Sequence, residues 1–221
     1  HAWARNYQLK DGQGDRMTLL NNWENTYFKF NEELLAELMK EAKHLGVDMF
    51  LLDDGWFAGR DNDHAGLGDY AVNRKKLPEG LEGLSRHLKD KGLSFGLWFE
   101  PESVNPDSDL YRAHPDWALT DGFEPILGRN QLLLDLTRPE VRDYIVENVS
   151  RILDSTGISY VKWDMNRHMT DAYSAALPPE RQPELFHRYI LNLYALLDYL
   201  TTTFPDMIFE GCSGGGGRFD E

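Results

Sequence analysis

The stretch SYVKWDMN, residues 159–166, places a cation, a large aromatic side chain and a carboxylate at the end of a predicted buried strand. Its residues alternate as in a strand that leaves a hydrophobic core, so the polar residues would emerge at the carboxyl end. Lys162 and Asp164 would point to one side of such a strand and Trp163 to the other. Ligands of α/β proteins bind at the carboxyl ends of the strands. The stretch therefore predicts a parallel α/β fold and a site at its edge.

Four further segments share this format of a short apolar strand that ends in polar or aromatic residues and is followed by an amphipathic helix. In chain order the five segments are TLLNNWEN, VDMFLLDDGW, LSFGLWFEPE, ISYVKWDMN and DMIFEGCSGGGG. Nearly continuous apolar strands that alternate with helices predict a parallel sheet covered by helices.

Two architectures fit this order, an open doubly wound sheet and a (β/α)8 barrel. An open sheet binds ligands at one switch point, whereas a barrel collects functional residues from the ends of many strands. Nearly every predicted strand here ends in polar and aromatic residues, which favours the barrel. A complete barrel takes about 250 residues. We therefore expect about five or six of its strands in this chain, with LLLDLT at residues 132–137 as a short sixth strand.

Longer helices are expected between the strands, over residues 31–45, 81–91, 139–155 and 184–203. Asn31 is the expected N-cap of the first of these helices, and Thr137 that of the third. Helical periodicity predicts Leu34, Leu38 and Leu45 as the buried stripe of the first helix.

The composition excludes several classes of partner. Among 221 residues, 37 are acidic and 23 are basic, which gives a formal net charge of -14. A nucleic acid or an anionic membrane surface needs clustered Lys and Arg, so neither is expected as a partner. The single cysteine, Cys212, permits no intrachain disulfide and fits a reducing compartment, so we expect a cytoplasmic protein. The Cys and His spacings predict no metal site, and we expect no cofactor.

Carboxylates recur at the predicted strand ends. They are Asp53, Asp54, Glu100, Glu102, Asp164 and Glu210, and the tryptophans beside the strand ends are Trp23, Trp56, Trp98 and Trp163. A single acidic residue is most often a solvated charge, and a single tryptophan often belongs to the core. Recurrence at one topological position is harder to explain in this way. Paired carboxylates perform glycoside hydrolysis, and aromatic rings stack on the apolar faces of sugars. The pattern therefore favours a carbohydrate site.

The motifs LLDDGWF, GLWFEPE, KWDMNR and FEGCSGGGGRFD, in this order and spacing, resemble those of the α-galactosidases of glycoside hydrolase family 36. The resemblance covers essentially the whole chain. It implies a retaining exo-α-galactosidase that acts by double displacement on melibiose- or raffinose-type oligosaccharides, without a cofactor or metal. It also implies that residues 1–221 form the N-terminal portion of a (β/α)8 catalytic domain whose last strands and flanking domains lie outside the chain.

The resemblance also assigns roles by motif. It implies that Asp164 is the nucleophile, that Lys162 binds galactose hydroxyls, and that Asp53 and Asp54 bind the 4- and 6-hydroxyls. The axial 4-hydroxyl is the group that distinguishes galactose from glucose. The further sugar-binding residues that the resemblance implies are Trp98, Trp23, Arg129, Cys212 and Gly215.

The acid/base aspartate of this family belongs to a motif on the next strand, and no such motif follows GGGGRFDE. We therefore expect that residue beyond the end of this chain, and no useful turnover by residues 1–221 alone. Glu100 and Glu102 are expected to order the loops of the site, and the full-length enzyme is expected to be a homo-oligomer. The alternatives are an α-N-acetylgalactosaminidase, a raffinose-synthase-like α-galactosyltransferase, or a noncatalytic carbohydrate-binding barrel.

Overall fold

The computed structural model describes residues 17–214, which form a parallel sheet covered by helices. The strands are β1 (Leu19–Asn21), β2 (Met49–Leu52), β3 (Ser94–Phe99), β4 (Ser103–Val104), β5 (Leu132–Leu133), β6 (Tyr160–Trp163) and β7 (Ile208–Gly211). The main sheet has five strands in the order β1-β2-β3-β6-β7, and every neighbouring pair is parallel. Each of these strands pairs with the next main-sheet strand along the chain, which is the arrangement of a (β/α)8 barrel.

The segment LLLDLT is not a sixth barrel strand, so this prediction was wrong. Its first residues, β5, pair antiparallel with β4 in a separate two-stranded sheet within the connection that follows β3. The chain then turns at Asp135, whose side chain accepts hydrogen bonds from the hydroxyls of Thr137 at 2.6 Å and Ser174 at 2.5 Å. A short buried apolar run has the same sequence pattern in a main sheet as in a structured connection, because both bury it completely.

The helices are α1 (Trp23–Thr26), α2 (Glu32–His44), α3 (Gly80–Asp90), α4 (Asp109–Ala113), α5 (Pro139–Thr156) and α6 (Leu185–Thr203). The longer ones agree with the predicted ranges to within one residue at each end. Asn31 caps α2 as predicted, because its side chain accepts the Leu34 N–H at 2.9 Å. The predicted cap of α5 is wrong, since Arg138 occupies the N-cap position and the Thr137 hydroxyl binds Asp135. No helix in residues 17–214 is long and apolar enough to cross a membrane.

The predicted buried stripe of α2 is also wrong. Leu34 and Leu38 are only half-buried, and Leu45 is 71% exposed. The helix instead buries Leu35, Met39 and Ala42. The prediction counted only the leucines. The face that packs against the sheet lies one residue further along the helix, and a methionine and a small alanine fill it beside Leu35.

The two faces of the main sheet have different roles. On the helix-facing side, large apolar residues such as Phe50, Leu52, Leu97 and Phe99 join the hydrophobic core. On the opposite side, Leu51 pairs with Gly96, and Gly96 pairs with Tyr160. A Cβ atom at Gly96 would lie 2.7 Å from Leu51 Cδ1 and 3.2 Å from Met49 Sδ. A Cβ at position 96 would therefore force the side chains of Leu51 and Met49 to shift.

The connection after β2 is fixed to the sheet by aromatic packing. The ring of Trp56 lies 5.1 Å from that of Phe57, 5.5 Å from that of Phe99 and 6.0 Å from that of Tyr70. Its indole N–H donates to the Trp98 carbonyl at 2.9 Å. Trp56 is completely buried, so it belongs to the core and not to the surface of the site.

Replacing Gly96 by Ala is expected to lower the free energy of unfolding by about 1–3 kcal/mol, because the added Cβ overpacks the row of Leu51 and Tyr160. The control is Ser94→Ala, on the same strand and the same face, where a Cβ is already present. Its expected effect is about 0.5 kcal/mol or less. Urea unfolding of both variants measures the difference, and equal stabilities would contradict close packing at position 96.

Candidate active site

Three of the predicted site residues lie in one row at the carboxyl edge of the sheet. Leu52, the last residue of β2, pairs with Leu97, so Asp53 comes level with Trp98. Trp98 in turn pairs with Lys162 of β6. Because side chains alternate along a strand, these three residues share the face that does not bear the helices.

Asp53 and Lys162 form a mostly buried ion pair in this row. The Lys162 Nζ lies 2.8 Å from Asp53 Oδ2, and the side chains are 17% and 5% exposed, respectively. Asn21 of β1 donates to the same carboxylate oxygen at 2.6 Å, and the Asp54 N–H donates to Oδ1 at 2.9 Å. Burial is the largest single influence and opposes the charge of Lys162, but Asp53 and, to a smaller extent, Asp164 together outweigh it, so the pKa of Lys162 lies above its ordinary value. The pair is thus a fixed cation and a fixed anion beside each other.

Asp164 follows β6 directly and is held by two N–H donors. The Trp98 indole donates to its Oδ2 at 3.1 Å, and the Met165 backbone N–H donates to its Oδ1 at 2.9 Å. The Asp164 N–H itself donates to the Phe99 carbonyl at 2.7 Å, which continues the β3–β6 pairing by one residue. The carboxylate therefore has a defined orientation beside the Asp53–Lys162 pair.

Asp54 is held differently from Asp53. The buried guanidinium of Arg60 donates to both of its oxygens, at 2.9 Å from Nε and 2.8 Å from Nη2. Arg60 also donates to the Asn105 side chain at 2.9 Å, which ties the connection after β2 to the one after β3. Burial raises the pKa of the Asp54 carboxyl above its usual value, although Arg60 acts in the opposite direction. In its predicted role, Asp54 would therefore bind sugar hydroxyls through the lone pairs of its oxygens that Arg60 does not use.

Glu100, the first residue after β3, is a further buried carboxylate near Asp164. It accepts hydrogen bonds from the backbone N–H and the side-chain amide of Asn166, the latter at 3.1 Å, and from the Gln131 amide at 2.5 Å. Burial raises the pKa of Glu100 to about 7, and the charge of Asp164 adds to this effect.

The tryptophans divide between the core and the site. Trp163 points to the helix side, as predicted, where its indole N–H donates to Glu102 Oε1 at 2.9 Å. Trp98 is 2% exposed, and its ring stacks on Phe57 at 6.5 Å, so its contact with the site is chiefly the N–H that binds Asp164. Trp23 lies in α1, just beyond β1, is half-buried and packs edge-on against Tyr27.

A cleft of about 480 Å³ is lined by Met165 and Asn166, the two residues that follow Asp164, whereas Asp164 itself is not among its lining residues. Its lining includes the predicted residue Arg129 together with Asn166, Ser213 and Gly214. Arg129 sits at the tip of a tight turn that is closed by two backbone hydrogen bonds between Gly128 and Gln131, at 3.0 and 3.1 Å. The structure therefore places Arg129 in the wall of the cleft that Met165 and Asn166 also line.

Cys212 joins the ends of β6 and β7. Its N–H donates to the Trp163 carbonyl at 2.8 Å, and its own carbonyl accepts the Met165 N–H at 3.0 Å. A negative charge on its sulfur would add to the raised pKa of the Lys162 amine. The predicted site residue Gly215 lies outside residues 17–214. Within that range, no three His, Cys, Asp or Glu side chains are grouped so that they could hold a metal ion.

Three polar residues of the site were missed by the sequence reasoning. Asn21 binds Asp53, Arg60 binds Asp54, and Asn166 lines the cleft. The position of Asn166 was a usable signal. If the alternation of side chains continued past the end of the strand, Asn166 would point to the same side as Asp164, two residues earlier. Asn21 likewise ends the first strand, whereas nothing local in the sequence connects Arg60 to Asp54.

A partial (β/α)8 barrel with carboxylates at the carboxyl ends of its strands has the architecture of the barrel glycoside hydrolases. The chain belongs to the melibiase family, whose model matches residues 2–221. This confirms the fold class and the family that the motifs predicted.

Individual relatives agree with this assignment. The chain is 56% identical over 207 residues to the alpha-galactosidase AgaA of Geobacillus stearothermophilus, covering 93% of this chain and 28% of the relative. The crystal structure of a variant of that enzyme with raffinose superposes with a TM-score of 0.90 at 56% identity, covering 93% of this chain and 29% of the other. A second variant, with stachyose, gives a TM-score of 0.93 at 52% identity, covering 99% and 31%. The chain thus spans about 28% of the length of the curated relatives it matches.

Arg60→Met is expected to destabilise the protein by about 3–5 kcal/mol, because it leaves the buried Asp54 carboxylate without its cation. The double variant Arg60→Met/Asp54→Asn should be less destabilised than Arg60→Met alone, since the uncompensated charge is removed as well. The control is Arg86→Met, which breaks an exposed ion pair with Glu79 at 2.9 Å and should cost about 0–1 kcal/mol. Chemical denaturation measures all three variants. Similar small losses for Arg60 and Arg86 would show that the buried pair is not required.

Proposed function

We propose that this chain is part of a retaining exo-α-galactosidase that removes terminal α-linked galactose from melibiose- or raffinose-type oligosaccharides. The observation that carries the proposal is Asp164, a buried carboxylate oriented by Trp98 beside the Asp53–Lys162 pair, at the carboxyl edge of a barrel sheet. Membership of the melibiase family supports it. The raffinose and stachyose complexes of relatives support the class of substrate.

In this reaction the Asp164 carboxylate attacks the anomeric carbon of the bound galactose. The glycosidic C–O bond breaks, a general acid protonates the leaving oxygen, and a covalent galactosyl-enzyme forms. Water then attacks the same carbon from the opposite side, its proton passes to the conjugate base of the general acid, and the bond to Asp164 breaks, so that two inversions give net retention. The orientation that Trp98 and Met165 impose on the carboxylate supports this role, because a nucleophile must be aligned with the carbon it attacks.

The general acid is a separate group in this mechanism. Retaining enzymes place two carboxyl groups about 5–5.5 Å apart across the anomeric carbon. Asp53 is paired with Lys162 and Asp54 with Arg60, so neither carboxyl is a suitable proton donor. We infer that the acid comes from a part of the protein outside residues 17–214.

The Asp53–Lys162 pair provides the means to select galactose. A carboxylate accepts hydrogen bonds from sugar hydroxyls and an ammonium group donates them, so the pair binds adjacent hydroxyls with both polarities. A sugar with the 4-hydroxyl in the equatorial position would leave a buried charged group without its partner, which costs more than a missing apolar contact.

Asp164→Gly is expected to lower the turnover of an aryl α-galactoside by several orders of magnitude, because the covalent intermediate cannot form. Azide should restore part of the activity and yield the β-galactosyl azide, since a small anion can occupy the place of the missing carboxylate. The measurement is the release of the aryl group by the full-length protein, with thermal unfolding as the check on folding. Near-normal turnover without azide would exclude Asp164 as the nucleophile. A folded wild type that binds galactose without turnover would instead favour a noncatalytic carbohydrate-binding barrel.

Asp53→Asn keeps the shape of the side chain but loses charge-assisted hydrogen bonds worth about 1.5–3 kcal/mol each. We expect kcat/KM for an aryl α-galactoside to fall at least about tenfold. Galactose should also inhibit the variant less strongly relative to glucose than it inhibits the wild type. Asp48→Asn is the matched control, because Asp48 is an exposed aspartate just before the other end of the same strand. Unchanged kcat/KM in Asp53→Asn would mean that the pair is structural only.

A further inference from the structure

Glu100 is a buried carboxylate that the proposed reaction does not use. It is 1% exposed and accepts hydrogen bonds from three N–H groups, two of Asn166 and one of Gln131. Neither partner is close to Glu100 in sequence, since Gln131 is 31 and Asn166 is 66 residues away. The carboxylate therefore joins the end of β6 to the connection that follows β3.

Both partners of Glu100 lead to the walls of the cleft. Asn166 lines the cleft two residues beyond Asp164, and its Oδ1 accepts the Gly214 N–H at 3.2 Å, which brings in the end of β7. Gln131 closes the turn that carries Arg129 at its tip. One carboxylate thus sets the separation between the β6–β7 wall and the Arg129 wall.

The Arg129 turn requires such support because its backbone is strained. Arg129 and its neighbour Asn130 both have positive φ angles, of 53° and 63°. Non-glycine residues in this region cost of order 1–3 kcal/mol each and persist only where their surroundings impose the conformation. Besides the Gln131 anchor, the Asn105 side chain donates to the Asn130 carbonyl at 2.8 Å.

Glu100 does not have the geometry of a general acid. All three of its side-chain hydrogen bonds come from N–H donors, which bind the ionised carboxylate and leave no partner that would accept a proton. It is 1% exposed and reaches the cleft only through its hydrogen bonds to Asn166. The charged and titratable groups that face it are Asp164, Arg60 and Tyr70, and the Tyr70 hydroxyl accepts the Glu100 backbone N–H at 3.2 Å.

We propose that ionised Glu100 is a positioning residue that holds Asn166 and the Arg129 turn in place as two walls of the cleft that borders the end of β6 after Asp164. This inference rests on the proposed function, because it concerns the same cleft. Protonation of Glu100 would place an O–H against the Asn166 amide donor. Relief would require Asn166 to rotate its amide, and the hydrogen bond from Gly214 to Asn166 Oδ1 would then be lost.

The protonation state of Glu100 should therefore be visible in the pH dependence of the reaction. With its pKa at about 7, the carboxyl is ionised above that pH and protonated below it. We expect kcat/KM of the wild type to fall as the pH is lowered through about 7, because kcat/KM reports ionisations of the free enzyme. Glu100→Gln is a neutral isostere that imitates the protonated form. It should lack this step and should lose at least about tenfold in kcat/KM at pH 8.

The experiment is the pH profile of kcat/KM for the full-length protein, with aryl α-galactosides of different leaving-group pKa. The turnover of the wild type is measured before that of the variants. A wild type without turnover would refute the proposed function itself and would not test the role of Glu100. The matched control is Glu102→Gln, which changes a fully buried carboxylate two residues away that binds Trp163 and Tyr189 on the helix side. It should lower stability and leave the pH step in place.

A second variant keeps the test informative if Glu100→Gln does not fold. Gln131→Met removes one N–H donor that favours the ionised carboxylate, so the step in kcat/KM should move to higher pH. An unmoved step in Gln131→Met, or an unchanged step in Glu100→Gln, would overturn the proposal. So would a loss in Glu100→Gln that grows with the leaving-group pKa, because that result would make Glu100 the general acid.

Discussion

In-register pairing of parallel strands is the constraint on which the rest of this structure depends. Side chains alternate along a strand, so the position of a residue in the register decides whether it joins the helix-facing core or the opposite face. Phe99 and Trp163 pair with each other and lie under the helices, whereas Trp98 and Lys162, one residue earlier, pair on the side of the site. A slip of one residue in either strand would exchange core and site. The same pairing that stabilises the sheet therefore places the chemistry.

This placement brings several carboxylates into one small, largely buried region of a chain whose net charge is -14. A buried carboxylate is costly unless donors compensate for the lost water. Each carboxylate here has different donors, and this separates their chemical characters. The pairs are Asp53 with Lys162, Asp54 with Arg60, Asp164 with the Trp98 indole, and Glu100 with the amides of Asn166 and Gln131. Asp53 and Asp54, which are paired with cations, are suited to binding hydroxyls. Asp164, which the Trp98 indole and a backbone N–H orient, is suited to nucleophilic attack.

Backbone strain is concentrated around the same region. The described non-glycine residues with positive φ are Tyr27, Tyr70, Arg129 and Asn130. Tyr27 packs against Trp23, the Tyr70 hydroxyl binds Glu100, and the other two form the turn at the cleft. Strained conformations survive where tertiary contacts over-determine them, and this condition is met where a site is built by several connections at once. The loops that cover β2 and β3 are therefore part of the site and not only links between strands.

The sequence by itself determined the alternation of strands and helices and the shared face of Lys162 and Asp164. These are local properties, because they follow from the spacing of residues along one element. The tertiary structure alone decided the pairing of LLLDLT with β4, the bidentate contact of Arg60 with Asp54, and the links from Glu100 to Gln131 and Asn166. A polar residue in a long connection has no periodicity that fixes its direction. Its partner is set only when the connections pack over the sheet and each buried charge must find a donor.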